Sequence, residues 1–278
     1  MPTRAEAPAR ALARLYTPRA QQEIFGLLLA IESQVRLCLA PQLEHQVAHA
    51  RLAWWHEEAE RLAQLRPEHP LTRALLAALA PQTPAAHTSV AGFAQLARWD
   101  LAAATFQSRR ELEVYCRRWS AAALGPLAQL AFGDAAHPAT LALGASLHGL
   151  ELLNELPLAA RRGRLRLPLD ELTQAGVASA ELAAAPFGAA LSGLVRGAHQ
   201  RAQGELAAAV AALAPHEQAG LRGVLVWASL AAAASRRAVA ALPHAATPGD
   251  HAGLLDGWRA WRAGRRALRG HLRLGGAS

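Results

Sequence analysis

A few acidic and basic positions are where this sequence could do chemistry. Glu151 and Glu155 stand four residues apart, so on a helix they share one face, where they would be solvated, ion-paired or directed at one cation. Glu32 lies in an otherwise apolar stretch, where an unpaired carboxylate is costly, and Arg36, four residues on, is its obvious ion-pair partner. His45, His49 and His56 also fall on one helical face. They would form either a metal-binding strip or a solvated surface; no HExxH pattern accompanies them, and Pro41 with its polar flanks favours the surface. Gly144-Ala145-Ser146-Leu147-His148 lacks the closing glycine and the preceding strand of a nucleophile elbow, and no glycine-rich phosphate loop is present.

Helices must carry these side chains. Apolar residues recur at helical spacing over approximately 18–39, 42–65, 70–79, 90–105, 109–131, 138–160, 169–174, 188–213, 216–241 and 250–272, and no strand pattern competes. Thr17 before Pro18 reads as an N-cap with a first-turn proline, and Arg162-Gly163-Arg164 as a glycine stop. Pro157 removes a backbone donor two residues after Glu155, at a helix-interior cost of about 3 kcal/mol, so that helix should kink or end there. The proline-containing connections at 66–70, 81–86 and 243–248 are too short for interdomain linkers, and no fixed-period repeat is visible. One domain over residues 1–278 is expected.

The 278 residues can bury a sizeable core without disulfides, and a hydrophobic content of 52% that is largely alanine and leucine favours helix throughout. The net charge of +8 would ordinarily point to an anionic partner. All 29 basic side chains are arginine, however, a bias that GC-rich coding explains as readily as phosphate binding. No aromatic-interleaved RNA motif, zinc-finger spacing or recognition helix is present, which argues against nucleic acid. Cys38 and Cys116 read as two buried thiols in a reducing compartment. The opening residues have no apolar signal region, and the apolar run from Gly223 to Ala234 is too short to span a bilayer, so a cytoplasmic protein is expected.

In the last segment Leu254, Trp258, Trp261, Leu268 and Leu272 trace one face, and Arg259, Arg262, Arg266 and Arg269 another. Such a helix lies on an anionic membrane, at the inner face, or packs its tryptophans on the domain with its arginines in solvent.

Several tracts carry a family resemblance. RLAWWHEEAERL (Arg51 to Leu62) followed by RPEHPLTRAL (Arg66 to Leu75), then Trp99-Asp100-Leu101, then ELEVYCRRW (Glu111 to Trp119) with Gly125, then AARRGRLRLPLDEL (Ala159 to Leu172) resemble, in order, the squalene and phytoene synthases. They cover most of residues 20 to 175. The resemblance implies an all-α isoprenoid synthase bundle around a central cavity. It also implies head-to-head joining of two prenyl diphosphates, farnesyl or geranylgeranyl, with Mg²⁺ held by two aspartate-rich helix motifs. Trp54, Trp55, Trp99 and Trp119 would then line the core or the cavity.

Aligned on those motifs, the first leading aspartate falls on Glu32 and its partner on Arg36. The second falls on Glu155 and its partner on Ala159. Glu32 and Glu155 are thus the remnant catalytic carboxylates. Glu151, where the family usually has asparagine, would join Glu155 as a metal pair. Arg36, Arg161, Arg162, Arg164, Tyr115 and Asp100 would contact substrate. Two functions follow from the resemblance. One is a family member without Mg²⁺-dependent transfer and without a cofactor, which holds an isoprenoid or docks to a protein partner, as in a branch that includes a mitochondrial complex I assembly factor. The other is an active Mg²⁺-dependent prenyltransferase.

Overall fold

The structure, a computed structural model, describes residues 8–79, 85–103, 105–244 and 253–275. Among them every regular element is helical: α1 (Pro8–Tyr16), α2 (Arg19–Leu37), α3 (His45–Ala63), α4 (Pro70–Leu79), α5 (Ala85–Ala103), α6 (Arg109–Phe132), α7 (Pro138–Asn154), α8 (Leu156–Arg161), α9 (Leu169–Gln174), a 3₁₀ turn (Ser179–Ala183), α10 (Ala189–Ala211), α11 (Pro215–Gly220), α12 (Arg222–Ala241) and α13 (Leu254–Leu268). The connections expected at 81–86 and 243–248 lie largely outside the described residues.

Three departures from the sequence pattern add a helix or break one, beyond shifts of a few residues at other ends. Helix α1 is an additional element; Ala13 is its buried contact. The 138–160 helix breaks at Glu155, whose φ of −94° and ψ of 3° place Pro157 in the first turn of α8, where no donor is required. The 216–241 helix breaks at Leu221, with φ −103° and ψ 16°. The glycine stop forms as expected. Gly163 has φ 73°, and the Arg164 N–H closes on the Ala159 carbonyl at 2.9 Å.

The chain folds into two compact units. The first comprises Arg19–Thr105 and Arg110–Ala145, and so holds α2 to α5, nearly all of α6 and the start of α7. Both α2 and α3 pack on α4 and α5, burying Phe25, Leu28, Ile31, Leu52 and Leu75. Its α3–α4 corner is built on one carboxylate. The buried Glu58 accepts the backbone N–H groups of Glu68 and His69, each at 2.9 Å, the hydroxyl of Thr72, and the Arg61 guanidinium at 2.8 Å. Leu65 turns the chain there at φ 62°, a left-handed position that disfavours side chains. The Trp55 ring meets that of His69 at a tilt of 46°, with centroids 4.9 Å apart, so the double-tryptophan tract and the His-Pro turn form one packed corner. Cys38 and Cys116 are buried free thiols, as expected.

The second unit comprises Met1–Pro18, Phe106–Arg109 and Ser146–Ser278. Helix α12 packs against α1, α10 and α13. A side chain at Gly223 would collide with Thr17 and the Ala13 carbonyl, and one at Gly264 with the ring of Tyr16, so these two glycines admit α1. Thr17 donates its hydroxyl to the Ala13 carbonyl at 3.0 Å, which corrects the expected N-cap: the side chain closes α1 instead of opening α2. Among the described residues one helix, α12, is long and apolar enough to cross a membrane, but most of its apolar window is buried in the unit, as in a core helix.

Candidate functional site

The residues singled out by sequence fall in both units. In the first, Glu32 lies on the face of α2 that buries Leu28, Leu29, Ile31 and Val35, because it follows Leu28 by four residues. Its carboxylate is buried. Oε1 accepts the indole N–H of Trp119 at 2.9 Å, and Arg36 Nη1 lies 3.7 Å from the same oxygen. The intrahelical ion pair therefore forms, joined by an indole from α6.

One turn earlier on α6, the buried Tyr115 donates its hydroxyl to Asp100 Oδ2 at 3.3 Å. Its ring meets Trp99 edge-on, and the Arg118 guanidinium lies 5.3 Å from the Trp99 ring. Tyr115 and Trp119, four residues apart, thus give α6 one polar-tipped aromatic face, which serves Asp100 and Glu32 in turn.

The second unit repeats this chemistry at Glu151, on the last turn of α7. Oε1 accepts the Trp227 indole N–H at 2.7 Å, and Oε2 pairs with Arg10 at 3.2 Å. The Arg10 guanidinium also lies 4.6 Å from the Trp227 ring, so one cation serves both the carboxylate and the π-face. The buried His148 places Nδ1 3.7 Å from Glu151 Oε2. Helices α1, α7 and α12 each contribute to this cluster.

Glu155 is half-buried at the α7–α8 break, where its backbone N–H still closes on Glu151 at 3.0 Å. In the arginine tract Arg161 and Arg162 are exposed and Arg164 is half-buried. The buried member is Arg166, whose guanidinium lies 5.9 Å from the Phe106 ring. Sequence reading missed Arg166, although its alternation with Leu165 and Leu167 was visible, and it missed Arg10 and Trp227 as partners of Glu151.

Among the described residues no group of three or more His, Cys, Asp and Glu side chains is placed to hold a metal ion. His45 and His49 are exposed neighbours, with Nε2 atoms 3.0 Å apart.

A family model described as squalene/phytoene synthase matches residues 3–261. The chain belongs to the squalene/phytoene synthase family. Its structure is similar to a crystal structure of a dehydrosqualene synthase in complex with a ligand, with a TM-score of 0.76 and 15% identity over 93% of this chain and 90% of that one. It is also similar to the squalene synthase HpnC from Alicyclobacillus acidocaldarius, with a TM-score of 0.66 and 18% identity over 84% of this chain and 89% of that one. At such identities the likeness establishes the all-α isoprenoid synthase fold. No curated protein matches the chain.

Proposed function

We propose that this member of the squalene/phytoene synthase family has lost Mg²⁺-dependent prenyl transfer and works by binding, holding an isoprenoid or acting as an interaction and assembly protein. The observation that carries this reading is that Glu32 and Glu151 each accept an indole N–H and each face an arginine. Prenyl transfer in this family needs diphosphate charge met by hard divalent cations on oxygen ligands. Carboxylate oxygens already engaged by N–H donors, with guanidinium groups alongside, are a poor donor set for Mg²⁺, and these residues do not fit the metal.

The two positions that would complete the family's aspartate pairs, Arg36 and Ala159, offer a cation and a methyl group. Arginine near a carboxylate can still meet a phosphate directly, so a prenyl diphosphate remains a fitting ligand without metal. Isoprenoid binding is further supported by the fold shared with the ligand-bound dehydrosqualene synthase.

The test is incubation with farnesyl or geranylgeranyl diphosphate and Mg²⁺, together with thermal melting in each ligand. We expect no condensed product and a stabilisation by prenyl diphosphate that is the same with and without Mg²⁺. Product formation that disappears in Glu155→Ala, or stabilisation only in the presence of Mg²⁺, would establish the active-enzyme reading instead.

A further inference from the structure

Helix α13 packs by its small residues. Ala260, Ala263, Gly264 and Ala267 are buried against α1, α11 and α12, and the close approach of Gly264 to Tyr16 leaves no room for a larger side chain. The large apolar residues therefore lie on the opposite side. Leu254 is 96% exposed, Trp258 52%, Trp261 47% and Leu268 59%. This reverses the arrangement in which the tryptophans pack on the domain. Leu272 lies beyond the end of the helix and is buried.

The outward face is basic as well as apolar. Arg262 and Arg265 each follow a tryptophan by four residues, and their guanidinium groups lie 5.0 Å from the rings of Trp258 and Trp261. The helix contains four arginines and a single acidic residue, Asp256, which pairs with Arg237 and Arg259 at 3.3 and 2.9 Å. Two exposed indoles between exposed leucines and arginines are an unusual surface to leave in water.

We propose that this face of α13 docks the protein on an anionic lipid surface. Charge and side-chain type together select that occupant. Indoles partition to the boundary between headgroups and acyl chains, leucines insert below it, and guanidinium groups meet lipid phosphates while their stems follow the apolar layer. A second copy would bring an equally basic face against this one, and a polyanion such as nucleic acid gives the leucines nothing to bury in. The helix lies flat on the surface, because its 15 residues span only about 22 Å, short of the roughly 30 Å of a bilayer core. The proposal does not depend on whether prenyl transfer is retained.

Cosedimentation of the whole chain with phosphatidylcholine vesicles, with and without phosphatidylglycerol, tests it. Binding is expected only when phosphatidylglycerol is present, and it should weaken as salt is added. Trp258→Ser with Trp261→Ser, and separately Arg262→Gln with Arg265→Gln, should each lower vesicle partitioning by about tenfold or more, with melting temperatures unchanged because all four side chains are exposed. Wild-type protein that ignores phosphatidylglycerol vesicles, variants that bind as well as wild type, tighter binding to an oligonucleotide than to the vesicles, or a concentration-dependent dimer abolished by the tryptophan changes would each overturn it.

Discussion

Trp227 donates its indole N–H to Glu151 at 2.7 Å across 76 residues of sequence, and the same ring receives the arginine that neutralises that carboxylate. The three side chains thus meet pairwise, with His148 beside the carboxylate. Trp227→Phe keeps most of the packing but removes a donor to a charged acceptor, a change of about 2 kcal/mol. Urea denaturation should show that loss. Combined with Glu151→Gln, the two losses should fall short of additive by about 1 kcal/mol or more; additivity would mean that the bond contributes nothing.

Glu58 should govern much of the acid limit. Burial works to raise its pKa, but the Thr72 hydroxyl, the His69 N–H, the Arg61 guanidinium and the Glu68 N–H together outweigh burial and hold it below the usual carboxylate value. A carboxylate with a lower pKa in the folded state adds stability above its unfolded pKa, and that stability is lost as pH falls through the folded value. Glu58→Gln should therefore cost roughly 3 kcal/mol at neutral pH and flatten the stability profile below pH ~4.5. An unchanged acid limb in that variant would remove Glu58 from this role.

His199 adds a second, separable slope. It is buried between α10 and α12, where Ser235 Oγ lies 2.7 Å both from its Nδ1 and from the amide nitrogen of Gln203. The Gln203 amide nitrogen donates to the serine oxygen, and the direction of the Ser235–Nδ1 bond follows the tautomer of His199. Desolvation lowers its pKa to about 4. The unfolded chain takes up this proton from about pH 6.5 downward, so folding loses roughly 3 kcal/mol between pH ~6.5 and ~4. His199→Gln should remove this slope while leaving that of Glu58, as read from denaturation midpoints across the range.

Local sequence predicted the helices well where propensity and a stop signal agreed. Both α4 and α9 begin and end at the expected residues, and Pro157 marked the break at Glu155. Helix α1 escaped because it is only nine residues long, although its arginines and apolar residues do segregate, and it is seated in the space that Gly223 and Gly264 leave for it. The Glu32–Arg36 contact was legible because it is made within one helix. The indole partners of Glu32 and Glu151 come from 87 and 76 residues away, and no local pattern encodes such pairings. Helix α13 has two apolar faces, one large and one small. Hydrophobicity alone favours the large face as the buried one, whereas close helix packing selected the small one.

Because the chain contains no lysine, every non-histidine side-chain cation in its ion pairs is a guanidinium, including those at Glu32, Glu58 and Glu151. A guanidinium does not surrender its proton in the alkaline range, where an ammonium in the same place would. The ionic framework is therefore lopsided. Its carboxylate half can be switched off by acid, while its cationic half stays charged through the alkaline conditions that discharge lysine-built proteins. The same absence leaves no side-chain amine for acylating or aldehyde reagents, so amine-directed labelling and crosslinking would pass over every one of these contacts.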